Sequence, residues 1–172
     1  DILKMMEDLI TSTVNVYLSD QDERDTWNMV GLKEYFLGWL IDDEDLIFTN
    51  DELRNVSRED VTNALNEKCG EIYQAKEEEY GSDVLREVER AILLKVVDTK
   101  WMAHIDDMEE LKRGIGLRSY GQKNPVIEYR YEGFEMFDAM VESIREDTVR
   151  ALLTIRLQRN EPPKREQVVE ID

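Results

Sequence analysis

The sequence predicts an all-α protein, in which a long antiparallel helical hairpin joins a scaffold helix and a small helical wing subdomain. Three observations support this prediction. Two long stretches repeat apolar residues every three or four positions, the spacing of one helix face. Proline and glycine are scarce, at 3 and 8 of 172 residues, which is unfavourable for a sandwich of many short strands. No segment has the character of a central strand.

The first predicted element is an amphipathic helix. Its apolar positions run at helical spacing from Ile2 to Tyr17 and stop near an acidic loop. A compact apolar stretch at 27–40 follows, and it includes Trp27 and Trp39. Two large aromatic side chains this close together predict a small local core.

Capping residues divide the next part of the chain. Asn50 is a plausible cap for a short helix. Ser57, which acidic residues follow, predicts the start of a helix that runs to about Tyr80, because its hydroxyl can accept a free backbone N–H. Gly81 is expected to end this helix, and Ser82 is expected to cap the next one.

The second half of the chain predicts the two arms of the hairpin. The first arm begins at Val84, runs for roughly thirty residues or about 45 Å, and is expected to end at Gly114 and Gly116. A new helix begins at Asn124, with Pro125 in the first turn, where its missing N–H costs nothing. Two long helices with a short polar connector form an antiparallel pair.

Composition excludes several classes of function. The formal net charge is −18, which argues against nucleic acid as a partner, because binding to phosphates depends on Lys and Arg. No apolar run approaches the ~20 residues of a membrane-spanning helix, so we expect a soluble, cytosolic protein. The opening residues resemble helix interior without a cap, and we interpret the chain as a piece of a larger protein.

Catalytic chemistry finds little support in the sequence. No G-x-x-x-x-G-K-[ST] phosphate loop is present, and Cys69 and His104 are each the only residue of their type. His104 precedes Asp106 and Asp107 but has no second metal ligand or nucleophile at a suitable spacing, so we interpret it as flanking an apolar stripe. We expect most Met and aromatic residues of the arms to be core residues: Trp101, Met102, Met108, Phe134, Met136, Phe137 and Met140.

The connector at 112–125 is basic although the protein is acidic. It is longer than the two to five residues that a turn between helices needs. Tyr120 lies between Arg118 and Gln122, and Lys123 follows. A ring with such neighbours can contact polypeptide without sequence preference. A solvated loop without a binding role is the alternative.

Three segments resemble the scaffold region of the SecA family of protein-translocating ATPases. They are DTKWMAHI at 98–105, LKRGIGLRSYGQKNP at 111–125 and EYRYEGFEMF at 128–137. So many positions matching in order is highly specific. Gly116 stands where the family usually has His, and Gly121 where it usually has Ala, and both should loosen the connector.

The resemblance implies a division of the chain. Residues 1–19 would be the end of a long scaffold helix, and 20–82 the helical wing. Residues 83–160 would be the two-helix finger, and 161–172 a flexible C-terminal linker.

The resemblance also implies a function: a substrate-contacting and regulatory part of an ATPase that pushes preproteins through the SecYEG channel. Its partners would be preproteins, that channel and the missing motor domains, with a second copy as a further candidate, at the cytoplasmic side of the bacterial membrane. ATP and Mg²⁺ would bind in the parent chain, and this part would need no cofactor or metal. Trp101 and Arg113 would serve ATPase regulation and coupling. The preprotein or channel contacts at the finger tip would be Arg118, Tyr120, Gln122 and Lys123.

Two other classes of function stay open. The apolar stripes could pair between chains, which would make this a structural or oligomerisation module. A stand-alone enzyme is the weakest alternative, because the sequence has no catalytic triad, metal set or phosphate loop.

Overall fold

A computed structural model describes residues 2–19, 27–46, 55–118 and 124–157 of the chain. In these ranges the only β-type pairing is an isolated bridge between Leu37 and Ile41, so the all-α prediction is confirmed. The described helices are α1 (Ile2–Tyr17), α2 (Met29–Phe36), α3 (Arg58–Tyr80), α4 (Ser82–Arg118) and α5 (Pro125–Thr154).

The core lies where α1 packs against α3 and the end of α5. The buried face of α1 has the predicted spacing and consists of Met6, Leu9, Ile10, Thr13 and Val14. Burial of such side chains is the main favourable term in folding. Leu85 in the first turn of α4 joins this core, and so do Val149, Leu152 and Leu153 near the end of α5. The core therefore holds one end of the α4–α5 hairpin.

The local core predicted after α1 is present in α2 and the turn that follows it. The Phe36 side chain is fully buried, and its ring centroid lies 4.9 Å from that of Tyr35 and 5.2 Å from that of Trp39. The Trp39 indole N–H donates to the Tyr35 carbonyl at 2.6 Å. Gly38 turns the chain with φ of 81°, a conformation that side chains with Cβ rarely adopt.

The helix caps predicted at Ser57, Gly81 and Asn124 are also present. The cap predicted at Ser82 is wrong, because Ser82 is the first residue of α4 and its hydroxyl bonds to the Glu77 carboxylate at 2.9 Å. The Ser57 hydroxyl accepts from the Asp60 N–H at 3.0 Å, and the Asp60 carboxylate accepts from the Ser57 N–H at 2.8 Å. Gly81 ends α3 with φ of 86°, and the Asn124 side chain accepts from Val126 N–H at 3.0 Å. The short helix expected from Asn50 lies outside the described residues.

The first arm of the hairpin is longer than predicted. Helix α4 has 37 residues, or about 55 Å, and continues through Gly114 and Gly116 to Arg118. The prediction that these glycines end the arm is therefore wrong. A glycine inside a helix costs only about 1 kcal/mol relative to Ala, and Ile115 between them is buried, which favours continuing the helix.

Replacing Ser57 with Ala should lower the free energy of unfolding by about 1 kcal/mol, because the first turn of α3 loses its cap. Urea denaturation measures this change. Ser12→Ala is the matched control, since the Ser12 hydroxyl bonds only to the Leu9 carbonyl of its own helix. Equal effects of the two substitutions would contradict the capping role.

The helical hairpin as candidate functional site

The arms of the hairpin are antiparallel, so later residues of α4 contact earlier residues of α5. Near the root, the Lys100 ammonium lies 2.6 Å from the Asp147 carboxylate. Further out, the His104 ring centroid lies 6.0 Å from that of Phe137, edge to face. Both groups of the ion pair are partly exposed, and such pairs contribute at most about 1 kcal/mol. Packing therefore holds the arms together more than charge does.

The arms come close together at Gly133 of α5. A Cβ at this position would lie 3.0 Å from the Met108 methyl group, a tighter contact than carbon atoms normally make. The absent side chain thus makes room for Met108. Sequence reasoning missed this role, although an isolated glycine inside a helical pattern is itself a signal of close packing.

A cleft of about 360 Å³ opens along the hairpin beside this contact. His104 lies half-buried at its edge, with its ring centroid 5.9 Å from that of Trp101, and so flanks the apolar stripe as predicted. The other lining residues are Met108, Tyr129, Arg130, Gly133, Phe134 and Phe137.

Most of the aromatic stripe is more exposed than predicted. Trp101 is 46% exposed, Met102 56% and Phe134 64%, and Phe137 is exposed as well. Only Met140 is buried, while Met108 and Met136 are half-buried. The prediction of a core position is therefore wrong for the four exposed residues, Trp101, Met102, Phe134 and Phe137. Their helical spacing places them on the hairpin, but an isolated two-helix pair cannot enclose a wide apolar face.

The residues predicted for the tip are only partly described. Helix α4 ends at Arg118 and α5 begins just after Asn124, so the described arms end on either side of residues 119–123. Tyr120, Gln122 and Lys123 lie outside the described residues, and so does the Arg118 side chain. Their role stays a prediction.

The two residues predicted for regulation lie apart on α4. Trp101 and Arg113 are separated by twelve residues, or about 18 Å along the helix. Both are exposed, and the Arg113 Nε–H donates only to the Glu109 carbonyl of its own helix, at 3.4 Å. The structure does not bring them together into one site.

A polar cluster between α3 and α4 holds the root of the hairpin. The Tyr73 hydroxyl donates to the Glu89 carboxylate, and Arg86 lies 3.1 Å from the same carboxylate. Glu89 is only 8% exposed, and a buried carboxylate needs such partners because desolvation disfavours its charge. Burial and then the neighbouring Glu89 raise the pKa of Tyr73 to about 12. Sequence reasoning missed this cluster, since the spacing of its residues does not mark them as partners.

Two features are absent from the described residues. Within them no three His, Cys, Asp or Glu side chains form a group that could hold a metal ion. None of the helices described has the length and apolar character needed to cross a membrane.

These features define a class of protein: an all-helical scaffold that carries a long hairpin with partly exposed apolar faces. The sequence profile of the SecA wing and scaffold domain matches residues 1–156. The chain therefore belongs to the SecA family, as the wing and scaffold domain of a protein translocase subunit. The family resemblance found in the sequence is confirmed.

Individual relatives support this assignment. The chain is 39% identical over 170 residues to the protein translocase subunit SecA of Acetivibrio thermocellus, covering 99% of this chain and 19% of the relative. It is 45% identical over 169 residues to the SecA subunit of Clostridium perfringens strain SM101, with 95% and 19% covered. For Syntrophomonas wolfei the identity is 38% over 156 residues, with 91% and 19% covered. The chain thus spans about a fifth of the length of these relatives.

The raised pKa of Tyr73 predicts a loss of stability in alkali. The folded state binds the phenolic proton more tightly than the unfolded state, where the pKa is about 10. The stabilisation is therefore complete below pH 10 and is lost as the pH rises towards 12. Tyr73→Phe should make this decline shallower in urea denaturation between pH 9 and 11.5. Tyr131→Phe, at an exposed position, is the control. If stability falls with pH as steeply in Tyr73→Phe as in the unsubstituted protein, the loss in alkali does not come from Tyr73.

Proposed function

We propose that this chain is the part of a SecA translocating ATPase that contacts the transported polypeptide and couples that contact to the motor. The connector at 112–125 would meet the preprotein at the SecYEG channel. Residues 1–19 would be the scaffold-helix end, 20–82 the wing and 83–160 the finger, followed by a linker. ATP and Mg²⁺ would bind in the rest of the parent chain, on the cytoplasmic side of the membrane.

One observation carries this proposal: the hairpin is seated in the core at its root, and the described ends of its arms at Arg118 and Asn124 lie far from that core. Helix α5 spans 30 residues, or about 45 Å, between its start and the root. An antiparallel helix pair packed along its length bends less readily than a single helix. A movement at the root would therefore be transmitted to the connector.

The charge of the connector supports contact with a chain of varied sequence. Lys112 and Arg113 are exposed at the end of α4, and Arg118 and Lys123 follow in a protein with a net charge of −18. Tyr120 would provide an aromatic surface, and the Arg118 and Gln122 side chains would bond to backbone carbonyls. None of these interactions depends on a particular substrate side chain.

The outer part of the hairpin, residues 94–113 of α4 and 126–141 of α5, has exposed apolar side chains. This part, which we call the shaft, supports coupling to other parts of the parent chain. Trp101 and Arg113 both face solvent on α4, as a surface that contacts another domain requires before docking. Contiguous exposed apolar patches commonly mark an interaction surface. We therefore assign Trp101 and Arg113 to contacts with the motor domains.

Replacing Tyr120 with Ala in a full-length translocase subunit that carries this sequence should reduce preprotein transport at least about tenfold, the effect of losing roughly 1.4 kcal/mol of contact. Basal ATP hydrolysis should persist, because the substitution leaves the motor intact. Transport into membrane vesicles and phosphate release measure the two activities.

Tyr131→Ala is the matched control, because Tyr131 is an exposed tyrosine of the shaft outside the connector. It should transport normally. Normal transport by Tyr120→Ala, or equal losses in both variants, would contradict a gripping role for the connector.

Self-association is a second candidate function, and the exposed shaft favours it. Large apolar side chains on both arms are solvent-exposed, among them Leu94, Trp101 and Phe134. Pairing of two such faces would bury them without any contact to substrate.

This alternative predicts that the chain's mass in sedimentation equilibrium rises with concentration, and that Phe134→Ser shifts it back towards the monomer. The reason is that a hydroxyl replaces a ring whose burial drives association. Thr154→Ser, on the same helix but at its root, is the control. A concentration-independent monomer mass would exclude self-association.

A further inference from the structure

Arg150, in the last turns of α5, lies over two aromatic rings. They belong to Tyr35 of α2 and to Trp39 of the turn that follows α2. The Arg150 guanidinium carbon is 5.1 Å from the centroid of the Trp39 ring and 5.8 Å from that of the Tyr35 ring. Both distances are within the range of cation–π attraction, about 6 Å. A planar guanidinium is well suited to such stacking, and a lysine ammonium is less so.

Neighbouring groups keep this contact in place. The Arg150 guanidinium lies 3.0 Å from the Glu146 carboxylate one turn earlier, which restricts its rotamers. The Trp39 indole N–H donates to the Tyr35 carbonyl, and the two rings pack edge to face with their centroids 5.9 Å apart. Burial, with Glu146 as a further cause, raises the pKa of Tyr35 to about 12, so its phenol stays neutral at physiological pH.

The residues that follow α5 are held by α3. The Lys76 ammonium donates to the Ile155 carbonyl at 2.6 Å, and the Tyr80 hydroxyl accepts from the Leu157 N–H at 3.4 Å. The end of α5 and the residues after it thus contact both the Tyr35 and Trp39 rings and the polar groups of α3. The direction of α5 depends on both contacts.

The length of α5 amplifies any change at this point. Arg150 and Pro125 are 25 residues apart, or about 37 Å. A rotation of roughly 10° at Arg150 would therefore move the start of α5 by about 6 Å, more than the reach of a hydrogen bond. A small change of angle at the root would therefore move the start of α5 by several ångströms.

We infer that Arg150 is a positioning residue, which sets the angle of the hairpin through its contact with Tyr35 and Trp39. Its effect on transport rests on the function proposed above, whereas its effect on the hairpin angle does not. Movement of α2 and its turn would then be converted into displacement of the connector.

The comparison of Arg150→Met with Arg145→Met tests this inference. Methionine keeps much of the side-chain volume and removes the charge in both. Arg145 is the matched control, because it lies on the same helix and pairs with Glu142 at 2.8 Å but has no ring contact among the described residues. Arg150→Lys restores the cation and should recover part of the effect.

The hairpin angle can be measured in the 172-residue chain with spin labels at exposed Ala75 of α3 and Glu135 of α5. Cys69 is buried, and burial raises the pKa of its thiol to about 11, so it stays unlabelled. In Arg150→Met the distance distribution should broaden or shift by about 4 Å, the effect of roughly 10° over a 22 Å lever. It should not change in Arg145→Met.

The functional consequence is measured in the full-length subunit, as preprotein transported per ATP hydrolysed. This ratio should fall about fivefold in Arg150→Met, be partly restored in Arg150→Lys, and stay normal in Arg145→Met. Loss of the ratio together with an unchanged melting temperature separates positioning from a stability defect.

The two proposals fail in different ways. An unchanged distance distribution in Arg150→Met overturns the positioning role, whatever happens to transport. A changed distribution with normal transport in both Arg150→Met and Tyr120→Ala supports the positioning role and overturns the proposed function.

Discussion

Burial of apolar side chains where α1, α3 and the ends of the two hairpin arms meet is the constraint on which the rest of the structure depends. Burying each of these side chains stabilises the fold by about 1.5–3 kcal/mol, whereas a typical hydrogen bond contributes about 1 kcal/mol. Leu85 of α4 and Leu152 of α5 are both almost fully buried there. The hairpin is thereby fixed at one end, and most of its length lies outside the core.

Polar interactions refine this arrangement at the root, where water is excluded. Glu89 is bonded to Tyr73 and Arg86 in a buried setting, and leaving it unpaired would cost about 1–3 kcal/mol. The partly exposed Lys100–Asp147 ion pair between the two arms is screened by solvent and contributes much less. The orientation of the hairpin is therefore decided near the core, while its tip is carried by the stiffness of the packed arms.

The shaft has exposed apolar faces, although the spacing of their residues is that of a core. The chain spans about a fifth of the length of its SecA relatives. Trp101 and Phe134 have the spacing of core residues but face solvent, as side chains do when their partner surface belongs to another part of an assembly. Helical spacing shows which face of an arm is apolar, but it does not show whether another helix covers that face.

Local chemistry was sufficient to predict much from the sequence: the helical class, the caps at Ser57 and Asn124, and the family resemblance, because each depends on neighbouring residues. The end of α4 was misplaced, because burial of Ile115 outweighs the weak helix propensity of its glycine neighbours. The contacts of Arg150 with Trp39 and of Tyr73 with Glu89 were not predictable, since their partners are far apart in sequence. Only the tertiary structure decides such pairs, because packing of whole helices determines which side chains meet.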